Sequence, residues 1–298
     1  MRYRILGDTG LRVSVIGIGT WQLGGEWGRA FSQAEADAIF DQAAGEGINL
    51  VDTAECYGDH TAERSVGEYL ARHDRSRWIV ATKFGHRFRS FMQRDDVFSA
   101  DDVRRQLEDS LRALRVERID LYQFHSGSDA LFQNEELWAM LAEQTRAGKI
   151  RHLGVSILGK GSEIQAREAR HWGAEVLQVV YNRLDRRPEQ LYFPHAERGH
   201  LGILARVPLA SGLLSGKYRP GSTFPPNDVR ATFDPERMRR DMAEVERIQK
   251  EEVPPGIPMS HWALAWCLKN PLVAAVIPGC KDPAQVRANA AAAALVEG

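Results

Sequence analysis

The segments INLVD (48–52), WIVATK (78–83) and IDLYQF (119–124) decide the fold that is predicted for this chain. Each is a short and nearly continuous apolar run, which is typical of a strand buried on both faces of a parallel sheet. Five further runs share this character, and helical stretches separate the strands. These runs are VIGIG (15–19), IRHLGVS (150–156), VLQVV (176–180), GILARV (202–207) and VAAVIP (273–278). Eight strands that alternate with helices predict an α/β fold, a closed (β/α)₈ TIM barrel.

The main alternative is an open, doubly wound sheet, which usually begins with a glycine-rich dinucleotide fingerprint. In VIGIGTWQLGG (15–25), Gly17 and Gly19 fit that fingerprint, but Gln22 stands where its third glycine is expected. No acidic residue follows at the expected distance on a second strand. The sequence therefore favours the barrel, formed as a single domain by residues 1–298.

Helices are predicted between and around the strands, and capping residues mark several of their starts. Ser32 and Ser99 each provide a hydroxyl for the first amides, with an acidic residue three positions later. Pro188 and Pro283 stand where a first helical turn tolerates a missing N–H. The predicted helices lie near residues 33–46, 62–73, 100–114, 135–147, 161–171, 188–198, 236–250, 259–269 and 282–294.

Two segments are expected to lie outside the repeating pattern. Residues 2–14 show apolar alternation on either side of Gly7-Asp8-Thr9-Gly10, which predicts a β-hairpin at the bottom of the barrel. Residues 218–235 are rich in proline, glycine and polar residues. A long irregular segment of this kind is typical of a functional surface loop, and we expect it over the C-terminal face.

The composition excludes several classes of protein. The 298 residues carry a formal net charge of −1, so a polyanionic partner such as nucleic acid is not indicated. No apolar run reaches the ~18 residues of a membrane span, and the first residues lack the apolar core of a signal peptide. Three cysteines, Cys56, Cys267 and Cys280, show no spacing for a disulfide or a metal. We expect a cytoplasmic protein without nucleic-acid or membrane partners, with a monomer as the default state.

Four polar residues fall at or just beyond the ends of three neighbouring strands. They are Asp52, Tyr57, Lys83 and His125. Because the active site of a barrel is built at the C-terminal ends of its strands, all four are expected to meet at one rim.

These four groups can convert a phenol into a proton donor. Tyrosine has an unperturbed pKa of about 10, and an ammonium such as Lys83 beside Tyr57 lowers it. Asp52 can hold Lys83 in place, and His125 can orient a substrate oxygen. Such a site fits hydride addition to an aldehyde or ketone.

Each residue also has a plainer interpretation. Asp52 is a possible helix cap, Lys83 a possible Schiff-base lysine of an aldolase-like barrel, and His125 a core histidine or a metal ligand. No metal site is predicted, because no second histidine or cysteine has ligand spacing, and His195 and His200 lie five apart at a weak helix end.

Several motifs in this order resemble the aldo-keto reductase superfamily, in its short bacterial branch. The resemblance runs nearly from end to end. It is carried by GIGTWQLGG (17–25), DTAECYG (52–58), ATKFG (81–85), LYQFH (121–125), GVS (154–156), LQVVYN (177–182), PLASGLLSGKY (208–218) and IPGCKDPAQVRAN (277–289).

The resemblance implies an NADPH-dependent reductase of small-molecule carbonyl compounds. Tyr57 occupies the position of the acid, and Asp52, Lys83 and His125 occupy the other catalytic positions. Trp21 would contact the substrate together with Tyr57 and His125. Trp27 and the 218–235 segment are further candidates for the pocket lining.

The resemblance also assigns contacts along the nucleotide, from the nicotinamide to the adenosine. Lys281 would contact a 2′-phosphate, which favours NADP over NAD, although NAD is also possible. The implied nucleotide contacts are Gly19, Thr20, Trp21, Asp52, Ser156, Gln178, Arg206, Pro208, Leu209, Ser211, Gly212, Leu213, Lys217, Gly279, Lys281, Gln285 and Asn289.

Three positions depart from the family pattern. Ile157 replaces an asparagine after GVS, and Arg206-Val207 precede Pro208 where the family places an aromatic residue against the nicotinamide. Ala288 stands where many members have an acid or an amide against adenine. A weaker grip on the cofactor is expected. A nucleotide-sensing regulatory subunit of the same fold, with little catalysis, is the alternative function.

Overall fold

The computed structural model of the protein describes residues 1–159, 163–219 and 221–296. The strands within these residues agree with the eight predicted runs and add two hairpins. They are β1 Tyr3–Ile5, β2 Arg12–Ser14, β3 Ile18–Gly19, β4 Leu50–Asp52, β5 Ile79–Phe84, β6 His86–Ser90, β7 Gln93–Asp96, β8 Ile119–His125, β9 Ile150–Ser156, β10 Ala174–Val180, β11 Gly202–Arg206 and β12 Val273–Val276.

Eight of these strands form one parallel sheet in the order β3, β4, β5, β8, β9, β10, β11, β12. Two parallel bridges join its first and last strands, one between Ile16 and Val276 and one between Gly19 and Gly279. The amide of Gly17 also donates to the carbonyl of Val276 at 2.8 Å. These contacts close the sheet, so the predicted (β/α)₈ barrel is confirmed.

The helices lie between consecutive barrel strands, close to the predicted ranges. The predicted helix 188–198 is divided in two at Tyr192, near Pro194, whose ring nitrogen cannot donate a hydrogen bond. Residues 161 and 162 of another predicted helix lie outside the described residues. No helix of the described chain has the length and apolar character to span a membrane. The helices are α1 Gln33–Gly45, α2 Thr61–Leu70, α3 Ala100–Leu114, α4 Asp129–Phe132, α5 Glu135–Arg146, α6 Glu163–Glu168, α7 Pro188–Leu191, α8 Phe193–Arg198, α9 Pro235–Glu251, α10 Met259–Leu268 and α11 Pro283–Ala291.

The N-terminal hairpin is present as predicted, with β1 and β2 paired in antiparallel fashion. Its side chains Leu6, Leu11 and Val13 are buried in one cluster with the barrel residues Leu121 and Leu204. The hairpin therefore packs against the barrel interior at the end opposite to the strand termini that carry the candidate site.

A second hairpin, formed by β6 and β7, was not predicted. Its strands HRFRS (86–90) and QRDD (93–96) are mostly polar and largely exposed, so they lack the apolar alternation that marks a strand. The hairpin follows β5 directly, which places it over the C-terminal rim.

The 218–235 segment is irregular, as predicted, apart from one 3₁₀ turn at Val229–Thr232 in its described part. Residue 220 lies outside the described residues. Trp27 and Asp228 form an antiparallel bridge. This bridge attaches the segment to the loop that follows β3, at the same rim of the barrel.

Candidate active site

Neighbouring barrel strands bring the four predicted residues to one end of the barrel. Asp52 is the last residue of β4, His125 is the last of β8, and Lys83 lies one residue before the end of β5. Tyr57 follows β4 after a turn in which its amide donates to the carbonyl of Ala54 at 3.1 Å. The four side chains therefore lie together at the C-terminal rim of the barrel, as predicted.

Lys83 is the centre of this arrangement and is completely buried. Its Nζ donates to Asp52 Oδ1 at 2.7 Å, to the carbonyl of Thr53 at 2.6 Å and to the hydroxyl of Tyr57 at 3.3 Å. Burial opposes the charge, but the negative charge of Asp52 and the contact with Tyr57 raise the pKa of Lys83 above its ordinary value. Lys83 therefore remains an ammonium that points an N–H at the Tyr57 oxygen.

Tyr57 differs in one respect from the sequence expectation. Burial raises its pKa to about 12, although the nearby charge of Lys83 acts in the opposite direction, as predicted. The indole of Trp21 stacks beside the phenol with the ring centroids 6.0 Å apart and the planes at 23°. At neutral pH the phenol is therefore protonated, which is the state a proton donor requires.

His125 presents a neutral imidazole to the site. Burial, reinforced by the positive charge of Lys83, holds its pKa well below the ordinary value. Its ring lies edge-on to Tyr57 with the centroids 6.1 Å apart. On its other side, Nδ1 lies 3.8 Å from Cys56 Sγ. A neutral imidazole can donate through one ring nitrogen and accept through the other.

A glutamine network holds the second oxygen of Asp52. Gln178 Nε2 donates to Asp52 Oδ2 at 2.7 Å, and Gln123 Nε2 donates to the same atom at 3.3 Å. Ser156 Oγ donates to Gln178 Oε1 at 3.4 Å. Sequence reasoning missed Gln123, although its place two residues before His125 in LYQFH puts it on the same face of β8.

These residues open onto a cavity of about 650 Å³. All but three of the residues predicted to act in catalysis or in binding line it. The lining residues among them are Gly19, Thr20, Trp21, Asp52, Tyr57, His125, Gln178, Arg206, Pro208, Leu209, Ser211, Gly212, Lys217, Gly279, Lys281, Gln285 and Asn289.

The three exceptions are Lys83, Ser156 and Leu213. Lys83 and Ser156 are completely buried behind Asp52 and Gln178, so they act on the cavity through those side chains. Leu213 is buried in an apolar cluster outside the barrel with α9 and α10. Its side chain therefore anchors the loop instead of lining the cavity.

Basic side chains collect at one end of the cavity. Lys217 and Lys281 both line it, and neither forms an ion pair within the described residues. Lys281 Nζ donates to the carbonyl of Trp27 at 2.9 Å, and burial lowers its pKa, helped by the charge of Arg230. Arg230, by contrast, is paired with Asp228 at 2.7 Å. Two unneutralised lysines fit an anionic ligand such as a dinucleotide phosphate.

A buried carboxylate beside the cavity was not found from the sequence. Glu26 Oε2 accepts from the indole N–H of Trp21 at 2.7 Å and from the Arg94 guanidinium, while Oε1 accepts from the amide of Met92 at 2.9 Å. Trp21, Met92 and Arg94 all line the cavity. This Glu26 junction ties the loop after β3 to the β6–β7 hairpin. The sequence carried no signal for it, because Met92 and Arg94 are far from Glu26 along the chain.

Arg206 and Val207, which differ from the family pattern, form a constrained turn. Arg206 Nη2 donates to the carbonyl of Ile157 at 3.0 Å, and its Nε atom is buried with no partner within the described residues. Val207 adopts a φ of 54°, which is strained for a β-branched residue. Asn182 Nδ2 holds this turn by donating to the Val207 carbonyl at 3.0 Å. The planar guanidinium of Arg206 therefore lies at the cavity wall in place of an aromatic ring.

Comparisons with known proteins agree with this architecture. The model of the aldo/keto reductase family matches residues 15–297. The aldo-keto reductase YhdN of Bacillus subtilis (strain 168) is 31% identical over 296 residues, which cover 97% of this chain and 87% of that protein. The NADH-specific methylglyoxal reductase of Escherichia coli (strain K12) is 30% identical, with 96% of this chain and 92% of that protein covered.

The fold agrees with that of a solved relative. The aldo-keto reductase AKR11C1 from Bacillus halodurans, in its holo form, superposes with a TM-score of 0.82 at 30% identity. The match covers 98% of this chain and 90% of that one. The chain therefore belongs to the aldo/keto reductase family and is an NAD(P)-dependent oxidoreductase.

Proposed function

We propose that this protein reduces aldehydes or ketones to alcohols with NADPH and that Tyr57 is the general acid. The observation that carries the proposal is the position of the protonated Tyr57 hydroxyl. It lies 3.3 Å from the buried ammonium of Lys83 and lines the cavity with His125. When bound, NADPH supplies the hydride that the carbonyl carbon accepts. Tyr57 donates its proton to the carbonyl oxygen, so that an alcohol is formed.

Lys83 and Asp52 support this proton transfer. As the phenol gives up its proton, the developing phenolate is stabilised by the ammonium of Lys83. Asp52 holds that ammonium at 2.7 Å and prevents it from being an unpaired buried charge. The neutral imidazole of His125 donates to the substrate oxygen and orients it toward Tyr57. In the reverse direction, the phenolate accepts the proton of an alcohol.

The nucleotide would lie along the cavity from Tyr57 to Lys281. Gln178 would bind the nicotinamide carboxamide, Ser156 would support Gln178 through the 3.4 Å contact of its Oγ with Gln178 Oε1, and Lys217 would bind the diphosphate. Lys281, a cation without an acidic partner, suits a 2′-phosphate and thus favours NADPH. Because one relative is named an NADH-specific methylglyoxal reductase, both reduced nucleotides belong in the test.

The proposal is tested by following the oxidation of NADPH and of NADH against a panel of aldehydes, ketones and sugars. We expect Tyr57→Phe to lower kcat by about 10²-fold or more, since this is the contribution of a positioned general acid. Tyr69→Phe is the matched control, because the Tyr69 hydroxyl donates to Asp41 at 3.1 Å outside the cavity.

Two results would count against the proposal. Full activity of Tyr57→Phe would exclude the general acid. Tight NADPH binding without reduction of any carbonyl would favour a nucleotide-sensing protein. Loss of the preference for NADPH over NADH in Lys281→Met would support the assignment of the 2′-phosphate contact.

A further inference from the structure

Three side chains with different donor atoms meet beside Tyr57. A carboxylate oxygen of Glu55, the Sγ of Cys56 and a ring nitrogen of His125 all lie within 4.8 Å of one another. We refer to these three residues as the Glu55 cluster. Sequence spacing did not reveal it, because His125 comes from a different strand. Oxygen, sulfur and imidazole nitrogen are together the donor set that Zn²⁺ accepts in proteins.

The carboxylate of Glu55 is incompletely satisfied. The residue is 2% exposed, and its Oε1 accepts from the amide of His86 at 2.9 Å. Its Oε2 is buried and has no hydrogen-bond partner in the described residues. Because a buried polar atom without a partner is costly, this oxygen is available to a cation.

The other two members of the cluster are accessible from the cavity. Cys56 and His125 both line it, and the Sγ and Nδ1 atoms are already only 3.8 Å apart. Two ligands of one tetrahedral zinc ion, each at about 2.0–2.3 Å from the metal, lie at a similar separation. A small adjustment is therefore sufficient for both atoms to coordinate one ion.

The neighbouring cations do not exclude a metal ion. Lys83 is neutralised by Asp52 at 2.7 Å, and Arg94 is neutralised by the carboxylate of Glu26. A thiolate at Cys56 and a carboxylate at Glu55 would together balance the two charges of the ion.

We propose that Glu55, Cys56 and His125 form an inhibitory Zn²⁺ site. The ion enters from the substrate cavity and is bound by one sulfur, one nitrogen and one oxygen, and its fourth position faces the cavity. Binding displaces two protons to solvent, one from the Cys56 thiol and one from Glu55, because burial raises the pKa of Glu55 to about 8 and the group is largely protonated at neutral pH. The ion then occupies the space beside Tyr57 where a carbonyl compound would bind. The proposal that these residues bind a metal ion does not depend on the proposed reductase function, whereas the proposal that the ion inhibits the enzyme rests on it.

Direct binding is the primary test. Zn²⁺ is titrated into the full-length protein in competition with a chromophoric chelator, and Co²⁺ is used as a spectroscopic substitute. We expect one equivalent of metal and a thiolate-to-cobalt charge-transfer band. Cys56→Ser should abolish the band, and Glu55→Gln should weaken Zn²⁺ binding at least tenfold, since even residues behind the ligands contribute about 10–100-fold.

Cys267→Ser is the matched control for the thiol. Cys267 is buried on α10, and its Sγ contacts the carbonyl of Tyr181 away from the cavity, so the variant should bind Zn²⁺ as the unmodified protein does. Circular dichroism and NADPH affinity show whether each variant is folded. Unchanged Zn²⁺ affinity in folded Cys56→Ser and Glu55→Gln would overturn the proposal, as would the absence of a stoichiometric site.

Inhibition is measured separately. Zn²⁺ should raise KM for the carbonyl substrate, should leave the Kd of NADPH unchanged, and should be reversed by a chelator. Stoichiometric Zn²⁺ binding in a protein that reduces no carbonyl would leave the metal site standing and refute the proposed function. Turnover that Zn²⁺ does not inhibit, despite binding, would refute the inhibitory role.

Discussion

Single residues of the candidate site act through their electrostatic surroundings more than through their own chemistry. Tyr57 is an ordinary phenol that burial keeps protonated, and Lys83 is an ordinary amine that Asp52 keeps charged. His125 is an imidazole that burial and Lys83 keep neutral. Before any ligand binds, each group is therefore in the protonation state that the proposed carbonyl reduction requires.

The pH dependence of the reaction follows from these pKa shifts. In the proposed mechanism reduction requires the protonated phenol, so we expect activity below the pKa of Tyr57, about 12, and its loss above that pH. We expect kcat/KM for reduction to be flat from about pH 7 to about pH 9, since this parameter reports the free enzyme. Protonation of His125 should lower it only at a pH well below the ordinary histidine value. A decline in kcat/KM centred below about pH 9 that is absent from Tyr57→Phe would contradict the raised pKa of Tyr57.

At the scale of elements, the β6–β7 hairpin shapes the end of the cavity where Trp21 lies. It is mostly polar and has few buried contacts of its own. Its attachment to the rim includes two of the three hydrogen bonds that the Glu26 carboxylate accepts, those from the Met92 amide and the Arg94 guanidinium. Glu26 is 2% exposed, so this attachment is shielded from solvent.

Substitution of Glu26 should therefore alter substrate binding. Glu26→Gln keeps the size of the side chain but removes the charge that Arg94 requires, and a hydrogen bond to a charged group is worth about 1.5–3 kcal/mol. We expect KM for carbonyl substrates to rise about tenfold, with the Kd of NADPH unchanged. The control is Glu252→Gln. This substitution breaks an ion pair outside the cavity, in which Arg183 Nη2 lies 2.6 Å from Glu252 Oε1. If steady-state kinetics show equal KM values for both variants, the contacts of Glu26 with the β6–β7 hairpin do not contribute to substrate binding.

At the scale of the whole molecule, the predictable features are those that repeat along the chain. The barrel strands were found because burial on both faces demands continuous apolar runs, and the candidate site because strand ends converge at one rim. The β6–β7 hairpin was missed, since HRFRS and QRDD carry charges where a strand should alternate. The contacts of Glu26 and the Glu55 cluster could not be found, because the hairpin lies far from Glu26 in sequence and His125 lies far from Glu55, and only the folded barrel brings them together.

The N-terminal hairpin offers a test of how the bottom of the barrel contributes to stability. Gly7 has a φ of +54°, and a Cβ atom there would overlap the backbone of Leu201 and Gly202. We expect Gly7→Ala to lower the free energy of unfolding by about 1–2 kcal/mol for the backbone and by about 1–3 kcal/mol more for the overlap. Gly10→Ala is the control, because Gly10 has a φ of +70° but open space around it. If urea denaturation gives the same loss in the free energy of unfolding for both variants, the close packing around Gly7 does not contribute to stability.

The closure of the barrel also determines when the protein becomes functional during its synthesis. Gly19 bridges to Gly279, so the first strand of the sheet can close the barrel only after a strand much later in the chain has been made. Until residues 273–279 leave the ribosome, the nascent sheet has open edges, and such edges invite pairing with other chains. Lys281, Gln285 and Asn289 line the cavity and emerge later still. The proposed nucleotide site is therefore complete only after Asn289 has been synthesised, so nucleotide binding cannot protect the chain before then.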